Sequence, residues 1–237
     1  MSSNEPMCTA TEEMLFDSKA RFDDERILKE AIQYAERFFY SKPFTKHQIG
    51  NHVVDIIPGI HKLSRPIHVV ETESFRTRQR LSHGILHVIA AADLIGKIYE
   101  QYKQARKYSP AEQDLQDLAA HFNLSSETLL TLVKVAAIFH DSGRKGDGID
   151  RWDEESADNL ESYLSEKSGI HGLNKNLIKL LGNTIRYKDD TAGFYKACLE
   201  LGLAEIKSLQ ADYLRQLLNN ADTLEVLRCR DSFDPHD

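Results

Sequence analysis

Leu129-Leu-Thr-Leu-Val-Lys-Val-Ala-Ala-Ile-Phe-His-Asp141 is the stretch on which the reading of this chain turns. From Leu129 to Phe139 only Thr131 and Lys134 interrupt an apolar run. A helix that is apolar on most of its sides has to be buried, so this one belongs at the centre of the fold. Ser125 and Ser126, with Glu127 behind them, supply an N-cap and an acidic first turn. The run then ends in His140-Asp141, two side chains that are costly to bury unpaired, followed by a loop containing Gly143, Gly146 and Gly148.

Working outward, helical periodicity dominates from about residue 23. Ile27, Leu28, Ala31, Ile32, Ala35, Phe38 and Phe39 recur at three- and four-residue steps and predict an amphipathic helix ending before Pro43. Phe44 to Glu73 has a poor pattern, with β-branched pieces at His52–Ile57 and Ile67–Val70 that read as short helices, loops or a small hairpin. A long helix is expected from Ser74 to Lys103, where Leu81, Ile85, Val88, Ala92, Ile95, Tyr99 and Tyr102 form one stripe. Another side of that helix carries Arg76, Arg80, His83, His87, Ala90 and Leu94. Arg106 to Gln116 reads as a linker or helix start. Asp153 is placed to cap a helix with Ala157, Leu160, Tyr163 and Leu164 inward. Helices over Asn176–Tyr187 and Leu209–Cys229 complete six or seven in all. The fold expected is all-α, a compact multi-helix bundle: a flexible arm over residues 1–22 and a single domain over 23–237.

The chain of 237 residues is 41% hydrophobic and 28% charged, the make-up of a globular protein and long enough for one sizeable core. Its formal charge of −7 argues against a nucleic-acid polymer as partner. The apolar run falls far short of the roughly 20 residues that span a bilayer, and the polar N-terminus lacks the pattern of a secretory signal. Cys8, Cys198 and Cys229 are odd in number and widely spaced, which reads as reduced thiols in a cytosol.

Four pieces carry chemistry: His83-Gly-Ile-Leu-His87, His140-Asp141, the glycine-rich loop from Arg144 to Trp152 with the acidic residues after it, and Asn219-Asn-Ala-Asp222. Histidines at i and i+4 share a helix face. His87, His140, Asp141 and Asp222, from three separate helices, form a mixed N/O set suited to a divalent first-row metal. Arg76, Arg80, Arg144, Lys188 and Arg215 are candidate phosphate contacts, because guanidinium and ammonium groups pair with phosphate oxygens. Trp152, the only tryptophan, either stacks on a base or staples the loop to the core.

The order H…HD…D in a helical frame resembles the HD superfamily of phosphohydrolases, and His83-Gly-Ile-Leu-His87 is similar to the H-x-x-x-H segment of cyclic-nucleotide phosphodiesterases. The resemblance implies His83 as general acid and His87, His140, Asp141 and Asp222 as ligands of Mn, Mg, Zn or Fe. More narrowly, Ser82-His-Gly-Ile-Leu-His87, Phe139-His-Asp-Ser-Gly-Arg144, Asp147-Gly-Ile-Asp-Arg-Trp-Asp-Glu-Glu-Ser156 and Ala221-Asp-Thr-Leu-Glu-Val-Leu-Arg228 resemble the phosphodiesterase domain of SidE-type bacterial effectors. That family acts on ADP-ribosylated ubiquitin at the diphosphate, using two histidines and a glutamate and forming a transient phosphoramidate. The resemblance implies His83 as the nucleophile and an acidic helper at Glu155 or Asp147. Where the family's second histidine is expected, this chain has Asn219, and an amide cannot shuttle a proton as imidazole does.

The expected activity is therefore cleavage of a phosphodiester or diphosphate, in a nucleotide or in an ADP-ribosylated or phosphoribosylated protein such as ubiquitin, by a metal-supported or a metal-free route. The alternatives are a metal-dependent HD nucleotide phosphohydrolase and an inactive binding module with the same fold. The resemblance further implies a cytoplasmic protein, or an effector secreted into the cytosol of a host cell.

Overall fold

The structure, a computed structural model, describes residues 24–40, 45–49, 52–56, 84–104, 111–144, 152–167 and 172–229. The arm assigned to residues 1–22 lies outside them, as does the first part of the long helix expected from Ser74. Eight helices are seen among the described residues: α1 (Asp24–Tyr40), α2 (Ile85–Gln104), α3 (Ala111–His121), α4 (Ser126–Phe139), α5 (Asp153–Ser162), α6 (Lys175–Arg186), α7 (Thr191–Glu200) and α8 (Glu205–Cys229). A two-stranded antiparallel hairpin, β1 (Thr45–Ile49) with β2 (His52–Ile56), stands between α1 and α2 in sequence, Thr45 pairing with Ile56 and Ile49 with His52.

The apolar run forms α4, and α4 is the hub. It packs against α1, α2, α3, α5, α6 and α8. Ser125 caps it, its Oγ accepting the Thr128 backbone N–H at 3.1 Å. Leu129, Leu132, Val133 and every residue from Val135 to Phe139 are fully buried. Lys134 keeps its head group beside Gly96 of α2, where a larger residue would crowd the ammonium. Burying one such Leu, Ile or Phe contributes roughly 1.5–3 kcal/mol, so this helix anchors whatever is attached to its ends.

α1 ends as the periodicity predicts and buries Ile27, Ala31, Ala35 and Phe39. It also locks the far end of α4. Tyr34 packs tilted against Tyr163 at 4.8 Å between ring centroids, and Tyr163 stacks on Phe139 at 5.1 Å. The Arg37 guanidinium lies 3.5 Å from the Tyr34 centroid. Phe139 immediately precedes His140, so this aromatic stack braces the end of α4 from behind.

Three sequence expectations need correction. Trp152, not Asp153, is the N-cap of α5, and it makes no side-chain capping bond. Asp153 is instead drawn to Lys188, with Oδ1 3.3 Å from Nζ. α8 begins at Glu205 rather than Leu209, whose side chain is exposed. And α7 was not anticipated, because only Phe194, Ala197 and Cys198 form its buried face. Its boundaries are nonetheless written in the sequence. Asp190 caps it through the Gly193 N–H at 2.9 Å. Gly202, at φ +80°, ends it in a Schellman turn with Gly202 N–H to Leu199 and Leu203 N–H to Cys198. Cys198 is buried, and that burial pushes its thiol up to about 12, leaving it inert.

Candidate functional site

α2, α4 and α8 pack mutually, and that is what brings three distant segments together. His87 enters from the first turn of α2, His140 and Asp141 from the end of α4, and Asp222 from the middle of α8. His87 Nε2 lies 3.3 Å from His140 Nε2 and 3.1 Å from Asp222 Oδ1. His140 Nε2 lies 3.2 Å from the same Asp222 oxygen, and both Nε2 atoms are 3.6 Å from Asp141 Oδ2. His87, His140 and Asp141 are buried, and Asp222 is half-buried.

The imidazole of His140 is oriented from behind. Its Nδ1 donates to the Ala137 carbonyl at 2.6 Å, and because a carbonyl only accepts, Nε2 is the nitrogen that faces the centre. Burial alone pushes this imidazole down, but the Asp141 and Asp222 carboxylates outweigh it and hold the pKa at about 9. Asp222 shows the converse. Burial pushes its carboxyl up, yet the charge and hydrogen bond of His140, the hydrogen bond of His87 and the charge of Lys188 pull it far below the usual carboxylate range.

The donor set also fits a cation. Both imidazole Nε2 atoms face one oxygen of Asp141 at 3.6 Å and one oxygen of Asp222 at 3.1–3.2 Å. His87, His140 and Asp141 offer ligand atoms within 4.8 Å of one another. Two imidazoles and two carboxylates are the ligands that Zn, Mn or Fe would take.

The turn after Asp141 is docked by its small residues. A Cβ on Gly143 would stand 2.7 Å from Ser156 N and 2.9 Å from Trp152 O, so only glycine lets the turn reach the start of α5. There the Gly143 N–H donates to Ser156 Oγ at 2.9 Å, and Ser142 Oγ accepts from Asn159 Nδ2 at 3.1 Å. Arg144 is buried, with Nη1 3.6 Å from Asp141 Oδ1 and its guanidinium 6.0 Å from the Trp152 ring. Lys188 is buried too, its Nζ 3.3 Å from Asp153 Oδ1 and 3.8 Å from Asp222 Oδ2.

Of the residues singled out in the sequence, the fold thus gathers His87, His140, Asp141, Asp222, Arg144 and Lys188. His83, Asp147, Arg76 and Arg80 lie outside the described residues. Glu155 is exposed on the first turn of α5, and Asn219 is half-buried one turn before Asp222. Arg215 is buried away from the centre, with its guanidinium on the Lys188 carbonyl, on Thr191 Oγ1 at 3.0 Å and on Asp212 Oδ1 at 2.6 Å. Arg186 is spent on Glu154, Asp158 and Glu161. Asp153 was missed as a partner of the site. Its signal is its place directly after Trp152, in the run that follows the glycine-rich loop.

The class the fold and site define is a helical domain whose hub helix delivers a cluster of two imidazoles and two carboxylates, flanked by two buried cations. Comparison with known proteins sharpens that class. The chain belongs to the SidE phosphodiesterase (PDE) domain family, whose model matches residues 40–237, and phosphodiesterase chemistry is what membership implies. No curated protein and no solved structure matches it. The match begins at the last residue of α1, although α1 buries four core residues against the rest of the domain. Among the described residues no single helix is long and apolar enough to cross a membrane.

Proposed function

We propose that this domain cleaves a phosphodiester or diphosphate bond carried on an ADP-ribosylated or phosphoribosylated protein of the ubiquitin kind, acting as an effector domain in a host cytosol. The observation that carries the reading is the meeting of the His87 and His140 Nε2 atoms, 3.3 Å apart, with oxygens of Asp141 and Asp222 that each lie 3.1–3.6 Å from both, inside the stretch matched to the SidE phosphodiesterase family.

In this reading the chain's own residues divide the work. Arg144 and Lys188 border the centre as the cations that attract the phosphate. His83 either protonates the leaving oxygen or takes the phosphoryl group, with Glu155 or Asp147 as the acidic helper and Asn219 holding a hydrogen bond rather than moving a proton. The Ala137 carbonyl keeps His140 aimed at the centre throughout. A divalent ion would be held by His87, His140, Asp141 and Asp222, where it would supply Lewis acidity toward a phosphoryl oxygen. The closeness of the His87, His140 and Asp141 donor atoms favours that metal-supported version.

Turnover of ADP-ribosylated ubiquitin and of bis-nitrophenyl phosphate, with and without chelator, tests the proposal. Cleavage that is lost on chelation and restored by Mn or Zn is expected, as is loss of activity in His83→Ala. Saturable binding without cleavage of either compound would leave a binding module in place of an enzyme.

A further inference from the structure

Lys188 follows the C-cap of α6, its backbone N–H returning to the Ile185 carbonyl at 3.1 Å. Its side chain is only 6% exposed, and its ammonium lies between two carboxylates on different helices: Asp153 of α5 at 3.3 Å and Asp222 of α8 at 3.8 Å. The Asp222 oxygen it approaches is Oδ2, while Oδ1 of the same group meets both imidazoles. Lys188 therefore sits one carboxylate's width from the centre. Its backbone is held by a second buried cation, since Arg215 donates from Nη1 to the Lys188 carbonyl while its other nitrogens grip Thr191 and Asp212. Two buried cations are an expensive way to join three helices, because well-packed apolar side chains at buried ion pairs often give equal or greater stability. Cohesion alone does not account for placing an ammonium on the carboxylate that both histidines share.

We propose that Lys188 is an exchangeable anion anchor. Asp153 holds its ammonium in the free protein, and the ammonium transfers to a non-bridging oxygen of the phosphodiester or diphosphate when substrate enters. Arg215 is a positioning residue that acts through the Lys188 backbone and does not touch the phosphate. The assignment rests on the phosphate-handling reading of the site given above and adds to it which group binds the anion and which group competes for that binding. No bond is made or broken in the exchange, which swaps one ion pair for another.

The test is calorimetric titration of inorganic phosphate into the full chain, for wild type, Lys188→Met, Asp153→Asn, Arg215→Lys and the doubles with Lys188→Met. A charge-assisted hydrogen bond converts to about a ten- to hundredfold change in Kd, and Lys188→Met is expected to weaken binding by that much. Asp153→Asn is expected to tighten it severalfold, because the competing carboxylate is gone. Arg215→Lys is expected to weaken it, and neither Asp153→Asn nor Arg215→Lys should change anything further once Lys188 is Met. A merely cohesive ion pair gives the opposite sign, so weaker phosphate binding in Asp153→Asn overturns the proposal. So does wild-type affinity in Lys188→Met, or no phosphate binding by the wild type. Should Lys188→Met fail to fold, the sign of the Asp153→Asn effect decides by itself. Because binding needs no turnover, a chain that passes these tests yet cleaves nothing refutes the proposed function alone, and one that cleaves but fails them refutes the anchor alone.

Discussion

Raising the pH should unfasten the centre in a way that can be weighed. In the metal-free chain the His140 imidazolium is held by Asp141 and Asp222 with a pKa of about 9, against 6.5 for the free side chain. A group whose pKa is raised by folding stabilises the fold fully below the unfolded value and loses that contribution as pH climbs through the folded value. The window is therefore pH 6.5 to about 9. A shift of this size corresponds to about 3 kcal/mol. The lowered Asp222 pKa describes the same ion pair and is not added. Urea unfolding in chelator, repeated from pH 6 to pH 9.5, should show stability falling by about that amount. In His140→Gln the fall should disappear, and in Asp222→Asn, where Asp141 still supports the charge, it should be shallower. A wild-type stability that stays level or rises across this window would refute the electrostatic picture of the site, as would an equal fall in His140→Gln.

Other consequences follow from the same contacts. Metal binding has to displace the His140 proton, so Zn or Mn affinity should rise up to about tenfold per pH unit between pH 6.5 and 9, measured by competition with an indicator. Gly143→Ala drives a methyl into the Ser156 and Trp152 backbone and should destabilise the fold by about 1–3 kcal/mol while depressing turnover more than the stability loss explains. Removing residues 1–40, which spares almost all of the family match, strips the Tyr34 and Phe39 packing and should lower the melting temperature by several degrees, read by circular dichroism.

Besides α4, whose continuous apolar run marks it, the helices that could be read from the sequence are those whose burial is one-sided and long. Leu177, Ile178, Leu181 and Ile185 of α6 and Ile85, Val88, Ala92, Ile95 and Tyr99 of α2 repeat at helical steps, and the structure buries them on those faces. α7 escaped because a face of three residues leaves no period to count, and only its cap at Asp190 and the turn at Gly202 mark it. The hairpin stayed one of three readings, with only its second strand marked, because β1 mixes Thr45, Lys46 and His47 without clear alternation. The one local cue is Gly50-Asn51 between the strands, a dipeptide suited to a tight turn. At the site, His140 and Asp141 stood out as polar groups ending an apolar run, whereas nothing local to Asp222 says that it meets them. That link came from the order of motifs along the chain, because the contact depends on how α2, α4 and α8 cross. Arg215 read as a phosphate contact because a guanidinium pairs with phosphate oxygens. A helix face does not reveal that a neighbouring loop carbonyl will claim the guanidinium.

The central claim is that His87 and Asp222, 135 residues apart, serve one centre. Turnover of ADP-ribosylated ubiquitin by wild type, His87→Ala, Asp222→Ala and the double variant, each checked for folding, tests it most directly. Groups that act as a unit lose nearly everything at the first removal. A fall of about a hundredfold or more is expected in each single variant, with little further loss in the double. Full activity in either folded single variant, or losses that multiply in the double, would contradict it.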